Sequence, residues 1–579
     1  MARARRSKAT LAGSPSTDRS ATLAELLANV PVGAGRAVAH TVAIAWWDTA
    51  NRALGTSFAP PSYGEDVGQL DATMATLAVA LGAALCDLSP EEANAELGAL
   101  YARLLPQPHR KEHGVFYTPR PLVQRLLDQA QAAGYNWASG NIVDPSCGAG
   151  AFLVEAARRI TLAMRVAAPE FVVAAISSRL RGWDLDPFAS WLAQLSVELV
   201  LLPQTAASGR RIGSVTETKD SLADWRAHKG KFDLVMGNPA FGRVPDSPAL
   251  RQRFARSLFG HPNLYGLFMD LAVDLASKPS GLIAYVTPTS YLGGQYFKRL
   301  RRLLALEAPP ISIDILEPRN QHFEDVLQEV ALSVFRKGGR ARRVASATLV
   351  ANGHLSADER GRFELPKNPE SPWIIPRKSS DVELVRRLSS LTSRLSDWGY
   401  RVSTGPLVWN RKRDRLSDNR GSLTYPVVWA SSIRTGRFDP AANRRNAPLF
   451  YHASHVGDPN LVTKPCILLQ RTTSKEQHRR LVAATLPKSY LKHYGAAAVE
   501  NHLNMVVPLT ARPPVPMRVV QSFLDSAIAD AVIRCISGSV ALSATELEAM
   551  PLPAADEIVA AFEAANFEDA LTALYSGSR

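Results

Sequence analysis

The sequence predicts an α/β protein with a doubly wound sheet in mid-chain, a helical region before it and a mixed α+β region after it. Three observations carry this expectation. Between residues 109 and 345 short apolar runs alternate with amphipathic stretches, and strands alternating with helices build a parallel sheet with helices on its faces. Residues 21–108 are rich in Ala and Leu with few β-branched runs, as helices are. From 376 to 579 strand-like and helical runs mix. Residues 346–375 hold Gly353, Pro366, Pro369 and Pro372 amid charges, the composition of a linker.

The 579 residues leave room for three or four domains at roughly 150 residues each. With 46% hydrophobic and 21% charged residues, the chain is globular and disorder along most of it is excluded. Cys86, Cys147, Cys466 and Cys535 lie far apart with no CxxC pair. A disulfide framework and a structural zinc site therefore both lack their ligands. No metal is expected, and a reducing, cytoplasmic compartment fits best.

Taken in order, the first element is a basic, disordered tail over residues 1–20. Arg3, Arg5, Arg6 and Lys8 are followed by Ser14, Pro15, Ser16, Thr17 and Asp18 rather than by the apolar core of an export signal. Segments 22–30 and 71–86 read as helices, and Ser89-Pro90-Glu91-Glu92 as a helix start. The apolar run 74–86 is well short of the ~20 residues that span a membrane. Strands are expected at 141–143, 180–183, 232–236 and 282–286, with a helix at 151–163. In the last region strands are expected at 425–429, 466–470 and 505–507, and helices at 382–390 and 519–536.

The formal net charge is +14, and its placement is uneven. Fifteen basic and five acidic residues lie between 401 and 480. Arg411, Lys412, Arg413, Arg415, Arg471, Lys475, Arg479 and Arg480 belong to this stretch, interleaved with Trp409, Asn410, Trp429 and Gln477. Such a patch suits a polyanion, because each neutralised phosphate releases a condensed counterion. A solvated basic face is the alternative.

Three motifs sit at expected strand ends, where an open α/β sheet binds its ligands. Asp144-Pro145-Ser146-Cys147-Gly148-Ala149-Gly150-Ala151-Phe152 joins a strand to a helix. Its glycines permit a tight turn with a ligand against the backbone. It is not the dinucleotide fingerprint, since Leu153 stands where a third glycine would. Asp184, in Gly182-Trp183-Asp184-Leu185-Asp186-Pro187, can hold two sugar hydroxyls; alternatively Asp184 or Asp186 caps the next helix. Gly237-Asn238-Pro239-Ala240-Phe241-Gly242 follows the third strand. An amide oxygen and a neighbouring backbone carbonyl can accept both protons of an exocyclic –NH2, which localises the nitrogen lone pair and aims it at an electrophile. Phe241 can stack on a flat base. On its own the tetrapeptide is a β-turn; the order and placement of all three motifs favour the site.

Residues 109–340 resemble the catalytic domain of S-adenosylmethionine-dependent amino-methylating DNA methyltransferases, the adenine-N6 group of TaqI and Eco57I-type enzymes. Gly114-Val115-Phe116-Tyr117-Thr118-Pro119 precedes the DPxCGxGxF loop, and the acidic strand end, the NPP(Y/F)-like motif and a C-terminal target-recognition domain follow. The resemblance implies a Rossmann-like methyltransferase domain at 109–345 and a DNA target-recognition domain at 376–579. It implies S-adenosyl-L-methionine as cofactor and double-stranded DNA as substrate. By the same resemblance Phe116, Tyr117 and Thr118 contact the methionine end of the cofactor, Asp144, Ser146 and Gly148 form its loop, Asp184 binds the ribose and Asp220 the adenine amino group. Asn238, Pro239 and Phe241 hold the target base, with Phe323 as a second stacking ring. Arg411, Lys412, Arg413, Arg415, Arg471 and Lys475 are the DNA-binding candidates. Ala240 departs from the family's second proline.

The implied reaction is methyl transfer to adenine N6 of a flipped-out base, protecting host DNA in a restriction-modification system. With no nuclease motif in the chain, cleavage falls to a separate restriction endonuclease. Cytosine-C5 methylation needs a thiol nucleophile, and Pro465-Cys466 lies far downstream of the loop. Cytosine-N4 methylation stays open as an alternative, although Asn238 rather than Ser favours adenine. Methylation of an RNA amine or a protein amide is a further alternative, and a DNA-binding module with a degenerate methyltransferase fold is the non-enzymatic one.

Overall fold

The computed structural model describes residues 19–106, 118–317, 329–340, 343–352, 354–442, 447–472, 478–536 and 541–576. They fall into two units, one ending at Gly242 and the other beginning at Arg243.

The first unit opens with helices Arg19–Asn29, Gly35–Ala53, Ala72–Ala84 and Pro90–Leu104. Local signals set their starts. Asp71 accepts from Met74 N at 2.8 Å, and Ser89 and Glu92 form a reciprocal capping box. Trp46, Trp47, Met74, Leu81, Leu97 and Leu100 pack with Phe188, Trp191, Leu192 and Leu195 of the helix Pro187–Val200. That helix is buried from Phe188 to Leu199, and its polar stripe is satisfied inside, Gln194 donating to Glu198 Oε1 at 2.9 Å and accepting from Val215 N at 2.9 Å. The N-terminal helices cover one side of it, and strands β2 (Leu180–Asp184) and β3 (Thr216–Thr218) the other.

With β1 (Ile142–Asp144) and β4 (Leu234–Gly237) these strands run in the order β3-β2-β1-β4, all parallel. Ile142 pairs with Leu180 on one side and Leu234 on the other. The order reverses at β1, so β1 and β4 flank a topological switch point, where doubly wound sheets bind ligands outside the strands' carboxyl ends. The expected strands and the helix Ala151–Ala163 are all present here.

In the second unit β5 (Leu282–Pro288) lies antiparallel to β7 (Val330–Arg336), and β7 antiparallel to β6 (Pro310–Glu317). Two expectations are corrected here. The strands are not all parallel: β6 and β7 are neighbours in sequence that pair directly, with no crossover to return the chain to its starting end. Nor is 346–375 a linker throughout. β8 (Val344–Asn352) joins β6 in parallel and pairs with β9 (His354–Phe363) as an antiparallel hairpin. The charges that suggested a linker lie largely on β9, and the prolines begin only at Pro366, beyond it.

The segment after β9 is tied down. Trp373 N donates to Leu292 O at 2.8 Å and Ile375 N to Cys535 O at 3.1 Å. Arg377 Nη1 meets Glu329 Oε1 at 2.9 Å with both side chains buried, and Thr289 Oγ1 donates to Glu329 Oε2 at 2.9 Å.

Beyond it, β10 (Tyr400–Thr404), β20 (Leu503–Pro508), β17 (Cys466–Gln470) and β18 (Ala483–Leu486) form an antiparallel sheet in that order. A second sheet orders β11 (Leu416–Ser417), β15 (Phe450–His452), β12 (Thr424–Val428), β19 (Ala497–Val499) and β16 (Leu461–Val462). β13 (Ile433–Arg434) and β14 (Arg437–Phe438) make a small hairpin. The helix expected over 519–536 is two, Met517–Leu524 and Ala527–Ile536. Ser526 accepts from Ala529 N at 3.1 Å and starts the second. Trp398, Tyr400, Phe523 and Ile533 sit in the core these elements share.

Candidate active site at the strand ends

β1 delivers Asp144 into the interior, 1% exposed, where its Oδ1 accepts from Ser146 N at 3.0 Å. Burial, with the Asp184 charge nearby, pushes the Asp144 carboxyl up to about 8 despite that hydrogen bond. β4 passes so close that a Cβ on Gly237 would stand 2.6 Å from Asp144 Oδ1, so only glycine fits there. Gly148 has φ +51 and nothing within 4 Å of where a Cβ would project, leaving the loop's outer side bare. Ser146 Oγ is buried and has no hydrogen-bond partner among the described residues.

Asp184 and Asp186 take different partners. Asp184 Oδ2 accepts from Gly148 N at 2.8 Å and its Oδ1 from Asp186 N at 2.9 Å, locking the end of β2 to the loop. Burial raises its pKa. Asp186 is the cap, accepting from Phe188 N at 3.0 Å, and is also bonded by Arg36 and the Tyr101 hydroxyl. Asp220 is exposed just after β3 and accepts from Leu222 N at 2.9 Å. Sequence reasoning missed its neighbour: Ser221 Oγ donates to Pro145 O at 2.7 Å, joining the β3 and β1 loops. It also missed Asn94, whose Nδ2 donates to Ala149 O at 2.9 Å from the N-terminal helices.

Asn238 follows β4. Its Nδ2 donates to Thr118 Oγ1 at 2.9 Å, and its Oδ1 is buried with no partner among the described residues. Thr118, expected against the cofactor, is bonded to the Asn238 amide. Pro239 and the Phe241 ring are buried beside it. Phe116, Tyr117, Phe323 and Lys475 lie outside the described residues.

Burial disfavours the thiolate at Cys147 and Cys466. Cys147 is buried with its N–H on Trp183 O at 2.9 Å, and burial holds its pKa well above the usual range. Cys466 is 0% exposed inside β17, and burial pushes its thiol up to about 12. A pathway that needs a ready thiolate has none at either position.

Of the basic residues, Arg411 and Arg413 are exposed and Lys412 and Arg415 partly so, on two single turns, Trp409–Arg411 and Arg413–Arg415. Arg413 lies over the Trp409 ring at 5.1 Å, and Arg415 bonds Ser454 Oγ. Arg471 is half-buried against the turn after β19. Two members of the stretch turn inward instead. Arg480 is 0% exposed, and Arg479 donates to Ser526 O at 2.9 Å. The run Arg479-Arg480 leads into β18, where the chain enters the core. Among the described residues no group of three or more His, Cys, Asp or Glu is placed to hold a metal, and no helix is long and apolar enough to cross a membrane.

A glycine loop after β1, a carboxylate ending β2 and an Asn-Pro turn after β4, at the switch point of a parallel sheet, define a Rossmann-like methyltransferase fold. Residues 178–319 match the Eco57I restriction-modification methylase family. The chain is similar to the Type II methyltransferase M.BsuBI of Bacillus subtilis, 23% identical over 361 residues covering 59% of this chain and 71% of that one. It is similar also to M.PstI of Providencia stuartii, 25% identical over 344 residues covering 57% and 66%. Among solved structures, the Type IIL restriction-modification enzyme MmeI in complex with DNA superposes with TM-score 0.52 at 13% identity, over 91% of this chain and 81% of that one. The resemblance read from the motifs is thus met by a family match over residues 178–319 and by similarity to restriction-modification methyltransferases over more than half of the chain.

Proposed function

We propose that the chain is a site-specific DNA methyltransferase that places a methyl group from S-adenosylmethionine on N6 of an adenine flipped out of duplex DNA. In this reading 109–345 is the catalytic region and 376–579 recognises the target. The observation that carries it is the Asn238 carboxamide, with its N–H taken by Thr118 and its buried oxygen left without a donor among the described residues. An unsatisfied buried acceptor costs about 1–3 kcal/mol. A substrate –NH2 that donates to it recovers that cost while its own lone pair turns toward the methyl donor.

The strand-end residues fit the cofactor. Asp184 offers acceptors to ribose hydroxyls, Gly148 leaves room against the backbone, and Ser146 Oγ lacks a partner among the described residues. S-adenosylmethionine supplies an electrophilic methyl on a sulfonium sulfur. Flipping a base costs a few kcal/mol, and stacking on Phe241 returns about 1–3 kcal/mol. Asn238 and Pro239 hold the amino group in line, so proximity and lone-pair localisation carry the rate. A separate restriction endonuclease is the partner that this activity protects against.

The test is transfer of labelled methyl to bacterial genomic DNA followed by nucleoside mass spectrometry. N6-methyladenine is the expected product. N4-methylcytosine would keep the chemistry and overturn the base. Cofactor binding without DNA methylation would overturn the substrate in favour of an RNA amine or a protein amide.

A further inference from the structure

The turn between β19 and β20, Glu500-Asn501-His502, is built as a small reading head. Glu500 is 1% exposed, yet it commits its carboxylate to one neighbour. Its Oε2 accepts from His502 N at 3.0 Å, and its Oε1 pairs with His502 Nδ1. The His502 side chain is 51% exposed. A carboxylate on Nδ1 fixes how the ring is turned and leaves Nε2 facing outward.

The platform beneath is rigid. Leu407 N donates to Val499 O at 3.0 Å and Asn501 N returns to Leu407 O at 3.0 Å. A Cβ on Gly405 would stand 2.2 Å from Glu500 O. Arg471 closes the other side, its N–H on His502 O at 2.8 Å and its Nη1 on Asn501 O at 3.4 Å. Asn501 Oδ1 is buried with no partner among the described residues, a second acceptor awaiting a donor. Two residues beyond Leu407 the chain enters the turns that carry Trp409, Arg411 and Arg413.

We propose that His502, held by Glu500, is a specificity-determining residue that reads an exocyclic amino group on a base edge in the DNA target. This rests on the DNA reading given above. With Nδ1 held by Glu500, the ring presents Nε2 alone to a partner. In the major groove it matches the N6 amino group of adenine or the N4 amino group of cytosine. Arg411 and Arg413, on the turns that follow Leu407, supply the cations a phosphate backbone needs, so positioning and readout fall on segments tied through Leu407.

The test uses the full chain and maps methylated sites on genomic DNA and on oligonucleotides carrying each single-base substitution of the wild-type site. His502→Ala is expected to relax preference at one base pair by roughly 5- to 150-fold, the fold-change equivalent of about 1–3 kcal/mol per base contact. The cofactor-induced thermal shift and the salt dependence of DNA binding should stay as in wild type. Glu500→Gln should relax the same base pair less. If His502→Ala does not fold, His502→Asn gives the same comparison. An unchanged preference at every position in a folded variant overturns the assignment. Wild-type protein that methylates no DNA overturns the underlying reading and this one with it, and is distinct because then no site preference exists to change.

Discussion

Asn238 donates its Nδ2–H to Thr118 Oγ1 at 2.9 Å, so a residue 120 positions upstream anchors the carboxamide. Reversed, the amide would present N–H rather than oxygen to an incoming amine. Thr118→Val should therefore lower the rate of methyl transfer about tenfold, the worth of one hydrogen bond near 1.4 kcal/mol, with little change in KM for DNA. Asn238→Ala should cost about a hundredfold or more. Steady-state kinetics with a labelled methyl donor checks both, and near-normal turnover of Asn238→Ala would refute the role of the amide.

Asp184 ties Gly148 N into place with one oxygen and Asp186 N with the other. Asp184→Ala should weaken binding of S-adenosylmethionine by about 10- to 100-fold, because hydrogen bonds to a charged group are worth about 1.5–3 kcal/mol. Calorimetric titration reads this directly. An unchanged affinity would return Asp184 to a purely structural part.

Because burial raises Asp144 to about 8, the folded chain holds more protons than the unfolded one from the ordinary aspartate range up to that value. Stability from this group is present in full below about pH 4 and is lost as pH rises through about 8. Asp144→Asn keeps an oxygen for Ser146 N and removes the titration. Without added cofactor, the variant's Tm should gain on wild type between pH 5 and 8 and then level. A difference that does not vary with pH would contradict the shift.

Neutralising Arg411, Lys412 and Arg413 together should weaken DNA binding equally for all sequences. It should also flatten the dependence on salt by about 0.9 in log–log slope for each phosphate that is no longer neutralised. Binding isotherms between 50 and 200 mM salt measure it, and an unaltered slope would make these turns a solvated face.

The Arg377–Glu329 pair is buried, and breaking one side leaves a charge without its counter-ion. Arg377→Met should cost about 3–5 kcal/mol in denaturant unfolding. Adding Glu329→Leu should recover part of that loss. Strictly additive losses would show that the two side chains do not act as a pair.

The loop, Asp184 and Asn238 were legible in the sequence because each sits where an apolar strand ends, and strand ends are local features. Their partners were legible only in part. Thr118 stood out through its motif but not as the partner of Asn238, and Ser221 did not stand out, because a lone Ser in a loop carries no spacing that points to its acceptor. The β8–β9 hairpin was hidden because charged residues on an exposed strand face read like linker composition. Arg480 was misjudged for the opposite reason: a count of charge cannot tell an exposed guanidinium from one folded inward. Glu500 and His502 form no motif at all, since only the turn after β19 brings the carboxylate under the ring.

Asn94 on the rear of the glycine loop, and Arg36 and Tyr101 on Asp186, make the N-terminal helices part of the floor beneath the strand ends. Residue 109 is therefore a poor place for an engineer to cut. A fragment starting there would bare Phe188, Trp191, Leu192 and Leu195 to water, each worth about 1.5–3 kcal/mol when covered. It would be sticky on its own, and supplying residues 19–106 as a separate polypeptide would be the way to restore it by complementation. A two-piece methyltransferase, switched on by bringing its halves together, follows from the same contacts.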